Sequence, residues 1–90
     1  MKRKLPRRTK YEIWVEILEV CLNHSRHQSW ILRELRLKTE SVKSALQFLL
    51  NRNLLNQINP DNDWTEYRTS LKGKEALAHF YALISNFFKD

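Results

Sequence analysis

Ninety residues make one domain, with a 42% hydrophobic share that suits a folded core and a 29% charged share that suits a solvated surface. One glycine, Gly73, excludes a phosphate-cradling glycine-rich loop, and one cysteine, Cys21, excludes an internal disulfide or a multi-cysteine zinc site. The formal net charge of +6 is concentrated in residues 1–10, which hold six basic side chains and no acid; from residue 11 onward basic and acidic residues cancel.

The first ten residues contain Pro6 and few apolar side chains, and are expected to form a flexible basic arm suited to a polyanion. No apolar run follows its charges, as a signal peptide requires. Thr9 and Glu12 stand in capping-box spacing, so a helix is predicted to begin there and end near Asn23. Ile13, Ile17, Val20 and Cys21 make its apolar face, while Glu12, Glu16 and Glu19 line another. His24 to Gln28 read as a connection that can hold a very short strand. Ser29 is placed to cap a short second helix with Ile31, Leu32 and Leu35 inward, and Arg33 and Arg36, three apart, are expected on its outer face.

Leu37-Lys38 make a turn, and Thr39 is the expected cap of the next helix, residues 40–52. There Val42, Ala45, Leu46 and Leu49 follow the i, i+3, i+4, i+7 pattern, with Glu40, Lys43, Ser44, Gln47 and Asn51 opposite. Asn53 tolerates the left-handed conformation of a helix stop. Leu54–Ile58 and Trp64–Thr69 read as two strands around the turn-rich Asn59-Pro60-Asp61-Asn62-Asp63. Ser70 then caps a long last helix, about residues 71–88. The uncharged run Ala76–Phe88 near the end is too short to span a bilayer. A cytoplasmic protein without membrane contact is expected.

This order is mainly α with a small β-hairpin, the winged helix-turn-helix arrangement, with a basic N-terminal arm and a long C-terminal helix. The domain is expected over residues 11–90. The run from Ile31 to Leu55, with Ile31-Leu32, Leu37, Val42, Leu46, Leu49 and Leu54, resembles the core of the small winged-helix DNA-binding proteins of archaea and archaeal viruses. The stretch Tyr67 to Leu77, with Tyr67, Thr69, Gly73 and Leu77, resembles the lead into that family's last helix. Two features depart from the family pattern. Asn53 stands where the family has a glycine, and the wing tip carries Asp61 and Asp63. The resemblance implies a dimeric, sequence-preferring double-stranded DNA-binding protein, a transcription regulator or a chromosome-organising factor of the nucleoid.

In that geometry the third helix enters the major groove. Ser41, Lys43, Ser44 and Gln47 are then the candidates for base edges, since glutamine bonds adenine through two hydrogen bonds and lysine reaches guanine acceptors. Lys2, Arg3, Lys4, Arg7, Arg8, Lys10, Arg33, Arg36 and Lys38 are the phosphate candidates. Phe80, Leu83, Ile84, Phe87 and Phe88 exceed what a monomer of this size readily covers and are the expected dimer interface, with Val15 or Leu22 as additions. Cys21, His24 and His27 are three apart, with His79 as a conceivable fourth ligand. Cys21 falls on an apolar face, however, so neither metal nor cofactor is expected. The tryptophans Trp14, Trp30 and Trp64 read as core and seam residues. No nucleophile–histidine arrangement supports an enzyme, and no small-molecule ligand is evident. The alternative is a protein–protein module without specific DNA binding, consistent with the neutral body and acidic wing tip.

Overall fold

The computed structural model describes residues 9–61 and 63–88. In chain order these form α1 (Lys10–Val20), β1 (Arg26–His27), α2 (Gln28–Leu35), α3 (Thr39–Asn51), β2 (Leu55–Ile58), β3 (Glu66–Thr69) and α4 (Leu71–Leu83), which runs into a π-helical turn, Ile84–Phe88. The three short strands form one antiparallel sheet ordered β1-β3-β2, with Leu55 opposite Thr69 and Ile58 opposite Glu66. This is the winged helix-turn-helix fold. Lys2, Arg3, Lys4, Arg7 and Arg8 lie outside the described residues, whereas Lys10, assigned to the arm from sequence, is the first residue of α1.

The helix starts follow local chemistry. The Thr9 amide donates to Glu12 Oε1 at 2.7 Å and the Glu12 amide to Thr9 Oγ1 at 3.2 Å, the reciprocal capping box. Ser70 Oγ accepts the Gly73 amide at the start of α4. Two expected caps are displaced. α2 begins one residue before Ser29, and His27 Nδ1 caps it by accepting the Ser29 amide at 3.1 Å. α3 begins at Thr39 itself, with Lys38 at the cap position and no side-chain cap bond. In both cases the preceding residue is already held in extended geometry, so the helix starts there.

The helix ends are set by left-handed residues. Asn53, at φ 63°, closes α3 as expected. The Leu54 amide donates back to the Leu49 carbonyl and the Asn53 amide to the Leu50 carbonyl, a Schellman motif. α2 ends the same way on Arg36, at φ 54°. Arg36 therefore stands in the turn, and does not share a helical face with Arg33 as the three-residue spacing implied. α1 ends at Val20, before the expected Asn23, because tertiary bonds take its last carbonyls. The Thr69 amide donates to the Cys21 carbonyl at 3.0 Å and Thr69 Oγ1 to the Leu18 carbonyl at 2.7 Å.

The core joins Ile17, Leu18 and Cys21 of α1 and its cap to Ile31 and Leu35 of α2, Val42, Ala45, Leu46 and Leu49 of α3, Leu55 of β2 and Leu77 of α4. Burial pushes the Cys21 thiol up to about 12, so it is a small apolar filler at neutral pH. Gly73 fits a specific gap. A Cβ there would stand 2.3 Å from the Leu54 carbonyl oxygen and 2.6 Å from Thr69 Cγ2. That carbonyl is held by the Ser70 amide at 3.0 Å and cannot retreat without breaking the bond. Gly73→Ala should therefore lower stability by about 1–3 kcal/mol through overpacking, outweighing the roughly 0.5–1 kcal/mol that alanine adds to a helix. Thermal unfolding of the variant should show the loss; an unchanged or higher Tm would mean that α4 shifts freely.

Candidate nucleic-acid interface

The helix-turn-helix places one exposed surface outward. Val42, Ala45, Leu46 and Leu49 bury one side of α3, and this leaves Glu40, Lys43, Ser44, Gln47 and Asn51 exposed opposite. Gln47 Nε2 donates to Asn51 Oδ1 at 3.0 Å, one turn on. Beyond this bond Gln47 keeps a second amide hydrogen and its Oε1 acceptor, so one side chain carries both a donor and an acceptor. Lys43, Ser44 and Gln47 thus lie together, while Ser41 is half-buried on the flank toward α1. Arg33, Arg36 and Lys38 are all exposed around the turn that leads into α3.

Beside this surface stands the wing. Its loop spans residues 59–65, two longer than the sequence implied, because Trp64 and Thr65 leave the ladder. Trp64 turns back to stack on His27, with ring centroids 3.9 Å apart and planes 14° apart, and its Nε1 donates to Glu66 Oε2 at 2.8 Å. Glu66 Oε1 accepts Ser25 Oγ at 2.5 Å. These two bonds, Ser25 first, hold the Glu66 carboxyl below its usual range. Trp64 is 56% exposed, not a core or seam residue. His27 both caps α2 and seats the wing tryptophan, so it positions two elements at once. A cleft of about 580 Å³ separates the wing root from α2 and α3, lined by Gln28, Ser29, Arg33, Thr39, Asp63 and Thr65. Asp61 and Asp63 at the wing tip are exposed. Sequence reasoning missed this wing root. His27 and Trp64 are far apart in the chain, and neither carries a local signal for the other.

Trp14 of α1 stacks on Phe48 of α3 with centroids 3.8 Å and planes 2° apart. On α4 the expected interface residues are exposed, with Phe87 at 72% and Phe88 at 67%, and Phe80, Leu83 and Ile84 between about a third and a half. The Tyr81 hydroxyl donates to the Glu19 carboxylate, which raises the phenol to about 12 and ties α4 to α1. The thiol of Cys21 is in the core and His27 is engaged at the wing root. Among the described residues, no group of three potential metal ligands comes together. No described helix is long and apolar enough to cross a membrane.

The winged helix-turn-helix family model matches residues 7–87, and the chain belongs to that family. Among solved structures it is similar to reduced HlyU from Vibrio cholerae, with 19% identity and a TM-score of 0.66 over 87% of this chain and 79% of that one. It is also similar to a PadR family transcription regulator from Clostridium difficile, with 17% identity and a TM-score of 0.64 over 86% and 98%. A third likeness is to IdeR from T. acidophilum, with 20% identity and a TM-score of 0.64 over 92% of this chain but 41% of that one. At these identities the likeness is one of fold. No significant match is found among curated protein sequences.

The wing root should respond to acid. Glu66 titrates lower in the folded chain than in the unfolded chain, so its contribution is present above the unfolded value of 4.5 and is lost as pH falls through the folded value. The Trp64 indole N–H resonance should shift as pH is lowered from about 7 to 3, with Glu66→Gln giving the acid-like position at neutral pH. A Trp64 resonance indifferent to both changes would show that Glu66 does not hold the indole.

Proposed function

We propose that the protein is a dimeric, sequence-preferring double-stranded DNA-binding regulator. The single observation that carries this reading is the exposed face of α3, Lys43, Ser44 and Gln47, flanked by exposed Arg33, Arg36 and Lys38. In this reading Lys43 and Gln47, with Ser44 and Ser41 beside them, address base edges in the major groove. Arg33, Arg36 and Lys38 address phosphates, and the arm with Lys2, Arg3, Lys4, Arg7, Arg8 and Lys10 follows the backbone or the neighbouring minor groove. The last turns of α4, through Phe80, Leu83, Ile84, Phe87 and Phe88, pair with a second copy, so that two recognition helices meet two half-sites. Val15 or Leu22 of α1 can extend that contact. The activity is that of a transcription regulator or chromosome-organising factor on the nucleoid, without catalysis. The resemblance noted above supports an origin among archaea or their viruses.

A second reading has its own support. The wing tip is exposed and acidic at Asp61 and Asp63, which repels phosphate, and the chain from residue 11 is neutral. A winged helix of this kind can serve as a protein–protein module without specific DNA binding.

Fluorescence anisotropy of a labelled duplex, titrated between roughly 50 and 200 mM salt, separates the two readings. The first reading expects binding that weakens steeply with salt, with the arm alone contributing a log–log slope of about −5. Deleting residues 2–8 should flatten the slope yet leave measurable duplex affinity in residues 9–90. Replacing Lys43 and Gln47 by alanine should reduce the preference for a selected site by roughly tenfold or more while changing affinity for random duplex less. Loss of all affinity with the arm, and no effect of the double substitution, would favour the protein module.

The assembly has a separate test. Sedimentation should show a dimer that Phe87→Asp with Phe88→Asp converts to monomer. A wild-type monomer mass at every concentration would remove the dimer from the proposal.

A further inference from the structure

A groove of about 470 Å³ runs between the first half of α1 and α3, on the flank of the recognition surface. That volume is in the range of small-molecule sites. The stacked rings of Trp14 and Phe48 line it, with Ile13 and Ala45 completing the apolar part. The stack is braced at both ends. Tyr11 meets Trp14 edge-on at 5.3 Å, and the Arg52 guanidinium lies 4.5 Å over Phe48. A ligand therefore meets a wall that is already ordered.

The polar lining is unusual for so small a groove. It holds one ammonium, Lys10, one carboxylate, Glu40, and two hydroxyls, Ser41 and Ser44. Among the described residues neither Lys10 nor Glu40 makes an ion pair. A ligand with only a carboxylate gains Lys10 but is repelled by Glu40, and a simple amine meets the reverse. A ligand carrying both charges beside an apolar group satisfies all of the lining. We infer that this groove binds a free α-amino acid with a large apolar side chain. Its carboxylate faces Lys10, its ammonium faces Glu40, the hydroxyls supply further hydrogen bonds, and its side chain lies on the Trp14–Phe48 wall. This site goes beyond the DNA reading and does not rest on it. Because Ser41 and Ser44 belong to α3, an occupied groove also alters the flank that α3 presents outward.

The test uses the full chain without DNA, so its outcome is independent of whether the protein binds a duplex. L-phenylalanine is titrated into the labelled protein and followed by NMR. The expected result is a saturable shift of the Trp14 indole and of the Ser41 and Ser44 amides. Phenylpropanoate, which lacks the ammonium, and phenethylamine, which lacks the carboxylate, should each bind about two- to fivefold more weakly, the scale of one exposed ion pair. Lys10→Ala and Glu40→Gln, both exposed and outside the core, should weaken L-phenylalanine by a similar factor with the remaining spectrum intact. No saturable shift at these residues would overturn the proposal, as would binding of either single-charge analogue as tight as that of L-phenylalanine.

Discussion

Thr69 is the polar residue around which the fold closes. It is buried among apolar side chains at the end of β3, and a hydroxyl in such a place is costly unless it is bonded. Its hydroxyl and amide take the carbonyls of Leu18 and Cys21, which the end of α1 would otherwise leave unsatisfied. The next residue repeats the device. The Ser70 amide takes the Leu54 carbonyl, its hydroxyl donates to the Asn53 carbonyl, and the same oxygen caps α4. Within two residues, then, the ends of α1, α3 and the wing and the start of α4 are tied at one point. Gly73 allows it, since only a residue without a Cβ lets α4 approach the Leu54 carbonyl so closely.

This junction fixes how the exposed face of α3 is presented. α3 is held from below by its apolar stripe and at its end by the Asn53 motif, so its polar side is presented rigidly. The wing is fixed at both ends of its hairpin. Thr69 anchors one end in the core, and the His27–Trp64 stack with the Glu66 bonds anchors the other against α2. The wing tip carries acid at Asp61 and Asp63, whereas Arg33, Arg36 and Lys38 put positive charge on α2 and the turn into α3. The fold is thus a scaffold with a basic turn and an acidic wing on either side of one polar helix.

The outer surfaces divide into three by chemistry. The α3 face is polar and bears groups that both donate and accept. The end of α4 is apolar and aromatic, with too few neighbours in one copy to cover it. The α1–α3 groove is mixed, with an ordered aromatic wall and charges of both signs. The end of α4 stands apart from the other two surfaces, whereas the α3 face and the groove share Ser41 and Ser44 at their common edge. A single small domain thus displays three chemically different surfaces on one core.

Wherever the deciding contacts are near neighbours in the chain, the sequence was enough. The Thr9–Glu12 box, the Ser70 cap, the left-handed Asn53 and the apolar stripe of α3 all depend on residues within a few positions, and all were legible. The element order, and with it the fold class, follows from them. The exposed polar face of α3 was mostly legible for the same reason. Polar residues opposite an apolar stripe must face out, yet Ser41 sits at the stripe's edge, where a rotation of a few tens of degrees decides between solvent and groove. Tertiary structure alone decided the rest. α1 stops early because β3 claims its carbonyls. His27 displaces Ser29 as a cap because β1 has already set its backbone. Trp64 leaves its strand because a histidine from another element offers a ring to stack on. In each of these cases a local preference worth a fraction of a kcal/mol to about one yields to a contact between distant segments, which no pattern along the chain records.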